Sequence, residues 1–153
     1  MALYTGCRSG ELLGLRAESC SLVPVEVALE QSKLPPDKRN FGTISIERSW
    51  NPAERKYTST KAKYWRTTPV SKDLYWFLQD LLKKDFGSDQ FGRFLLPHFS
   101  DWKNCTNQAM ILRAFCNEIG IPSIKFHALR ACFATHLLEM GVPSVKVMKV
   151  GGW

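Results

Sequence analysis

The chain has 153 residues, 44% of them hydrophobic and 12% aromatic, enough apolar material for one domain with a real core, which argues against intrinsic disorder. It holds no apolar run of about 18 residues and no charged segment leading into an apolar stretch at the N-terminus, which argues against a spanning helix, a secretory signal or a membrane partner and predicts a soluble, non-exported protein. Twenty-one Lys and Arg stand against 14 Asp and Glu, a net charge of +7, and because the surplus is spread along the chain, any basic surface for a polyanion such as nucleic acid must be assembled by the fold.

In chain order, the segment GELLGLR ending at Arg16 has leucines at helical spacing, with Ser9 placed to cap and Glu11 in the first turn, and predicts a short helix. Pro24 then interrupts Leu22–Glu30, and the paired prolines Pro35 and Pro36 lie in a polar stretch. The whole of 23–40 is predicted as an insertion loop. The period changes next: Thr43–Arg48, Lys56–Thr60 and Trp65–Val70 are rich in β-branched and aromatic residues and predict three short antiparallel strands. Asn51-Pro52 marks the first turn, and Lys61-Ala62-Lys63-Tyr64 lies at the second connection.

Ser71 caps a predicted helix whose Leu74, Phe77, Leu78, Leu81 and Leu82 form a core stripe. After a loop from Gly87 to Asn104, Thr106 opens a helix with Ala109, Leu112, Cys116 and Ile119 on one side and Gly120 at its end. Another runs from about His127 to Met140 with Gly141 as its stop, and a last one begins at Pro143. The predicted fold class is α+β, mainly α: a helical domain with a small three-stranded antiparallel sheet inserted after the first helix.

Five cysteines (Cys7, Cys20, Cys105, Cys116, Cys132) are odd in number and not closely paired, as expected of reduced, packed thiols in a cytosolic setting. Gly10–Gly14 lacks the Lys-Ser/Thr and the preceding strand of a phosphate-binding loop. Cys132 and His136, four apart, lack the carboxylates and close cysteine pairs of familiar metal sites. No cofactor and no metal are expected.

The remaining candidates are cations on different elements: Arg8 before a helix, Lys61 in the strand region, and His127 with Arg130 three apart on one helix face. Such a set suits a phosphate diester. The arginine fork donates two hydrogen bonds to non-bridging oxygens and stays charged, two such forks stabilise the charge of a pentacovalent transition state, and a lysine can protonate a departing alkoxide.

These residues also carry a resemblance. Ala2-Leu3-Tyr4-Thr5-Gly6-Cys7-Arg8-Ser9-Gly10-Glu11-Leu12-Leu13-Gly14-Leu15 resembles the first signature of the tyrosine recombinases, or phage-type integrases, in which Thr-Gly-x-Arg-x-x-Glu-Leu presents the first catalytic arginine. Thr60-Lys61-Ala62-Lys63 before Arg66-Thr67-Thr68-Pro69-Val70 is similar to that family's hairpin lysine, His127-Ala128-Leu129-Arg130 to its His-x-x-Arg box, and Gly151-Gly152-Trp153 to its Gly-His position in members with tryptophan there.

The resemblance implies site-specific cleavage and rejoining of double-stranded DNA through a 3′-phosphotyrosyl intermediate, with self-association on DNA in the full-length protein and a bacterial cytoplasmic setting. It implies that Arg8 and Arg130 bind the scissile phosphate, Lys61 is the general acid for the 5′ oxygen, His127 assists proton transfer, Glu11 supports the arginine site, Trp153 donates its indole N–H to the phosphate, and Lys63 and Arg66 contact DNA. Lys63 competes with Lys61 because it faces the same way at strand period, and a core aromatic is the alternative for Trp153. Ala131 stands where many members carry a second histidine.

None of Tyr4, Tyr57, Tyr64 and Tyr75 matches the family's nucleophile, which follows the Trp153 position. The expectation is therefore a catalytic domain, 1–153, incomplete at both ends, without the family's N-terminal DNA-gripping domain, and inactive alone. Two alternatives stand beside it. One is a helix-turn-helix regulator built on Phe133–Val147, whose second helix offers only Ser144, Lys146 and Lys149 to read bases; the other is a non-catalytic DNA-binding integrase fragment.

Overall fold

The computed structural model describes residues 1–60, 65–97 and 105–153, without the side chains of Cys105 and Thr106. The opening helix α1 (Ala2–Thr5) ends at Gly6 in the left-handed region, φ 63°. A Cβ there would lie 2.6 Å from the Phe133 ring, so backbone and packing both demand glycine. Helix α2 (Ser9–Gly14) begins one residue before the sequence places it: Arg8 is the N-cap, and Glu11 at the third helical position accepts its backbone N–H at 2.8 Å. The carboxylate satisfies a donor that the first turn leaves open, so Glu11 does the local work expected of Ser9.

The β-rich stretch divides into two ladders rather than one three-stranded sheet. Strands β1 (Cys20–Leu22), β2 (Gly42–Ile46) and β5 (Arg66–Pro69) make the three-stranded antiparallel sheet in the order β1-β2-β5, with Ile44 opposite both Cys20 and Thr68. Strands β3 (Arg48–Asn51) and β4 (Lys56–Ser59) pair separately, Trp50 across from Tyr57 with ring centroids 5.0 Å apart. The break falls at Glu47, inside the strand predicted over Thr43–Arg48, while β1 is only three residues long and too short to show a period.

The 23–40 segment is not all loop. Val25–Gln31 forms helix α3 with Pro24 as its N-cap and Glu26 in its first turn. Proline is tolerated there because the start of a helix uses no N–H from it. The segment is tied down by the Tyr75 hydroxyl, which donates to the Val23 carbonyl at 2.9 Å from helix α4 (Lys72–Leu82). Ser71 caps α4 as predicted, its hydroxyl accepting from the Leu74 N–H, and Leu74, Leu78 and Leu81 are buried. Phe77 is half exposed and departs from the predicted stripe. The core gathers these leucines with Leu12, Leu15, Phe41, Ile44, Ile46, Val70 and Leu95.

Within the predicted 87–104 loop, β6 (Ser88–Asp89) and β7 (Gly92–Arg93) form a small hairpin. It is pinned by buried Arg16, whose guanidinium binds both Asp89 oxygens at 3.0 and 2.6 Å and lies over the rings of Phe94 and Tyr57. Residues 98–104 lie outside the described part. The three C-terminal helices follow as α5 (Cys105–Glu118), α6 (Phe126–Glu139) and α7 (Ser144–Gly151). Gly120 and Gly141 stand in left-handed conformations after α5 and α6, as predicted. Among the described residues no helix is long and apolar enough to cross a membrane, and no group of three His, Cys, Asp or Glu side chains is placed to hold a metal.

Candidate active site

The carboxylate of Glu11, 0% exposed, is the centre of a cluster drawn from α2, β5 and α6. Arg8 reaches it from the N-cap with NH1 at 2.9 Å. Arg66 comes from the start of β5 and donates in bidentate fashion, NH1 to Oε1 at 3.1 Å and NH2 to Oε2 at 2.8 Å. Arg130 comes from α6 and stands back, its NH1 4.0 Å from Oε2. Burial alone would raise the Glu11 pKa, but the hydrogen bonds from Arg66 and from Arg8 outweigh it and hold the carboxyl below its ordinary range. The group is ionised at neutral pH, and three guanidiniums around one carboxylate leave two positive charges uncompensated.

Arg130 bears most of that excess. It is 1% exposed. Its NH1 donates to the Gly6 carbonyl and its NH2 to the Gly152 carbonyl at 3.2 Å, while its buried Nε has no hydrogen-bond partner among the described residues. Burial, and then the nearby charge of Arg8, push its pKa down to about 10. It remains protonated at neutral pH, with a charge that its surroundings underserve, which is an electrostatic invitation to an anion. Buried Cys7 lies alongside, its thiol pushed up to about 11 chiefly by burial, and is not a nucleophile at neutral pH.

The end of α7 closes the cluster. Gly152 has φ 72° and returns its N–H to the Met148 carbonyl at 2.8 Å. Its own carbonyl then accepts from both Arg8 NH2 at 3.1 Å and Arg130 NH2 at 3.2 Å. Two guanidiniums from opposite ends of the sequence thus converge on one oxygen. Trp153 lays its ring over Arg130, 3.9 Å from Cζ to centroid, and stays 50% exposed. It is therefore neither a core aromatic nor a remote one, but a lid on the guanidinium.

The structure brings together Arg8, Glu11, Arg66, Arg130 and Trp153. His127 sits one turn before Arg130 at the start of α6 and is exposed. Lys61 and Lys63 lie outside the described residues. Arg66, expected to contact DNA, turns its guanidinium inward onto Glu11, and its Nε donates to the Val150 carbonyl at 3.0 Å. Nothing in the sequence around Arg66 signals this, because the partners are 55 and 84 residues away.

Residues 1–153 match the profile of the phage integrase family. The chain belongs to that family. A relative described as a XerC-like tyrosine recombinase, from Caldanaerobacter subterraneus subsp. tengcongensis, is 23% identical over 171 residues, which take in 99% of this chain and 40% of the relative. Among solved structures, the Tn1549 transposon integrase in complex with transposon right end DNA matches 99% of this chain and 48% of its own at a TM-score of 0.70 and 18% identity. XerA recombinase matches 99% of this chain and 46% of its own at 0.63 and 21%.

These likenesses establish the integrase fold for the chain, which spans about 40% of the length of the curated relative it matches. They displace the helix-turn-helix regulator. In the structure α6 and α7 deliver Arg130 and the Gly152 carbonyl to the cluster around Glu11.

Proposed function

We propose that this chain is the phosphate-binding portion of a site that breaks and rejoins double-stranded DNA, in site-specific recombination or integration through a 3′-phosphotyrosyl intermediate. The observation that carries this reading is the convergence of Arg8 and Arg130 on a single oxygen, that of Gly152. A carbonyl satisfies one N–H of each fork. A phosphate diester offers two non-bridging oxygens and a negative charge, which answers both the spare donors and the two uncompensated positive charges.

In this scheme Arg8 and Arg130 bind the scissile phosphate and stabilise its transition state. Glu11 fixes the arginines and never meets the DNA. Trp153 covers one face of the Arg130 guanidinium and offers its indole N–H, a donor that cannot act as a base. His127, exposed beside Arg130, assists proton transfer, and Lys61 protonates the departing 5′ oxygen, with Lys63 on the DNA backbone. Self-association on DNA and a bacterial cytoplasmic setting complete the proposal.

Binding to a duplex oligonucleotide tests the reading. Affinity is expected to fall steeply with salt, by roughly 10³ to 10⁵ between about 50 and 200 mM if about 6 to 10 phosphates are contacted, and Arg130→Ala is expected to weaken it roughly tenfold to a hundredfold, the cost of a lost charge-assisted contact. Salt-independent binding would sink the proposal.

The 153-residue chain by itself is also expected to form no covalent DNA adduct. Tyr75 is buried with its hydroxyl on Val23, Tyr57 makes edge-on contacts with the rings of Trp50 and Phe91, Tyr4 lies on α1, and Tyr64 is outside the described residues. Incubation with supercoiled plasmid and with a nicked suicide duplex checks this. A phosphotyrosyl peptide mapped to any of the four tyrosines would overturn it.

A further inference from the structure

We infer that Arg66 is a positioning residue of the site: by holding the Glu11 carboxylate it leaves Arg8 and Arg130 free to bind phosphate, and by holding the Val150 carbonyl it sets the end of α7 against them. The inference rests on the phosphate-binding role proposed above. It assigns Arg66 work that is done through other side chains and not by contact with DNA.

Three observations support it. First, the guanidinium is spent internally, with NH1 and NH2 on the two Glu11 oxygens and Nε on Val150, and its side chain is 9% exposed. Second, Arg130 stands 4.0 Å from the same carboxylate, just outside hydrogen-bonding range. A buried carboxylate stripped of its bidentate partner would draw in the nearest cation not yet hydrogen-bonded to it, because leaving it with fewer donors is costly. That cation is Arg130, which would then give up the NH2 geometry it shares with Arg8 on the Gly152 oxygen. Third, α7 ends against Arg66 itself: a Cβ on Gly152 would lie 2.9 Å from Arg66 NH1 and 3.0 Å from its Cζ. The left-handed residue that carries the shared oxygen is thus fitted directly onto the Arg66 guanidinium.

Charge arithmetic gives the inference a test that a DNA contact or a general packing role does not share. Arg8, Arg66 and Arg130 with Glu11 sum to +2; without Arg66 the sum is +1 and the carboxylate competes with phosphate for the other two arginines. Removing the Glu11 charge as well returns the sum to +2 and ends the competition. Binding of the 153-residue chain to a duplex oligonucleotide is measured for wild type, Arg66→Met, Glu11→Gln and the double variant, with thermal melts alongside. Arg66→Met is expected to weaken binding roughly tenfold to a hundredfold, and adding Glu11→Gln is expected to restore roughly tenfold of that loss, measured at a temperature where the melts show every variant folded.

A double variant as weak as Arg66→Met, or weaker, would mean that Arg66 touches DNA or only supports the fold, and would overturn the inference; so would an Arg66→Met protein that binds like wild type. If Arg66→Met does not fold, Arg66→Gln, which keeps a polar side chain but removes the charge and the bidentate grip on Glu11, replaces it with the same expected outcomes. A wild-type chain that binds DNA without salt dependence sinks the phosphate-binding role instead, so the two failures are distinguishable.

Discussion

Glu11→Gln is expected to cost the fold about 3 to 5 kcal/mol, the range for breaking a buried ion pair and leaving its partners uncompensated. The substitution is nearly isosteric, so packing is preserved and the cost is electrostatic. Glutamine keeps one acceptor oxygen where the carboxylate offers two, yet Arg8 donates a backbone and a side-chain N–H to Glu11 and Arg66 donates two more. The amide also places its own donors against guanidiniums. Three positive charges then face one another in a site where Arg130 is already held below its ordinary pKa by burial and by Arg8.

Urea denaturation monitored by far-ultraviolet circular dichroism reads the effect as a lowered midpoint. A loss under about 1 kcal/mol, the scale of an exposed pair, would show that Glu11 is not the keystone its geometry suggests. The wild type should show the same dependence through pH. The folded-state pKa of Glu11 is depressed, so its contribution is fully present above the unfolded value of about 4.3 and is lost as pH falls below it through the folded value. Glu11→Gln should therefore flatten that part of the acid-stability curve.

How much of this was legible in the sequence depends on the range over which each feature is determined. Helix α4 carries its own periodicity and its Ser71 cap, and Gly120 and Gly141 follow α5 and α6 where local pattern places them. Strand pairing is set by partners far away in the chain. Nothing between Thr43 and Thr60 says that the run breaks at Glu47 into separate ladders, or that Cys20–Leu22 becomes the third strand of the sheet. Pro24 was misleading for a related reason: proline stops a helix from within but is compatible with its start, and only the tie from Tyr75 to Val23 shows which applies.

The site follows the same rule. Arg8, Glu11 and Arg130 stand in short motifs whose spacing is fixed by one helical turn, so sequence reaches them. Arg66 does not, because the feature that turns it inward is the buried carboxylate 55 positions earlier and the α7 carbonyl 84 positions later. The Gly152 oxygen is a backbone atom and has no sequence signature at all.

The proposed general acid can be tested without reference to its placement. In a protein made competent for cleavage by a nucleophilic tyrosine supplied after Trp153, Lys61→Ala is expected to slow strand cleavage by roughly a hundredfold to ten-thousandfold, the usual contribution of a general acid. The departing 5′ alkoxide is a poor leaving group near neutral pH and needs a proton, whereas a thiolate leaves without one. A substrate with sulfur in place of the 5′ bridging oxygen should therefore be cleaved by Lys61→Ala at close to the wild-type rate. Arg8→Ala should stay impaired on both substrates, since the charge that builds on the non-bridging oxygens must be stabilised whichever atom departs. Lys63→Ala should be milder than Lys61→Ala on ordinary DNA. Because the two lysines are two positions apart in the Thr60-Lys61-Ala62-Lys63 segment, sulfur rescue separates their roles where loss of activity does not: rescue of Lys63→Ala but not of Lys61→Ala would move the acid to Lys63, and rescue of neither would place it on another side chain, with exposed His127 next to Arg130 the first to test.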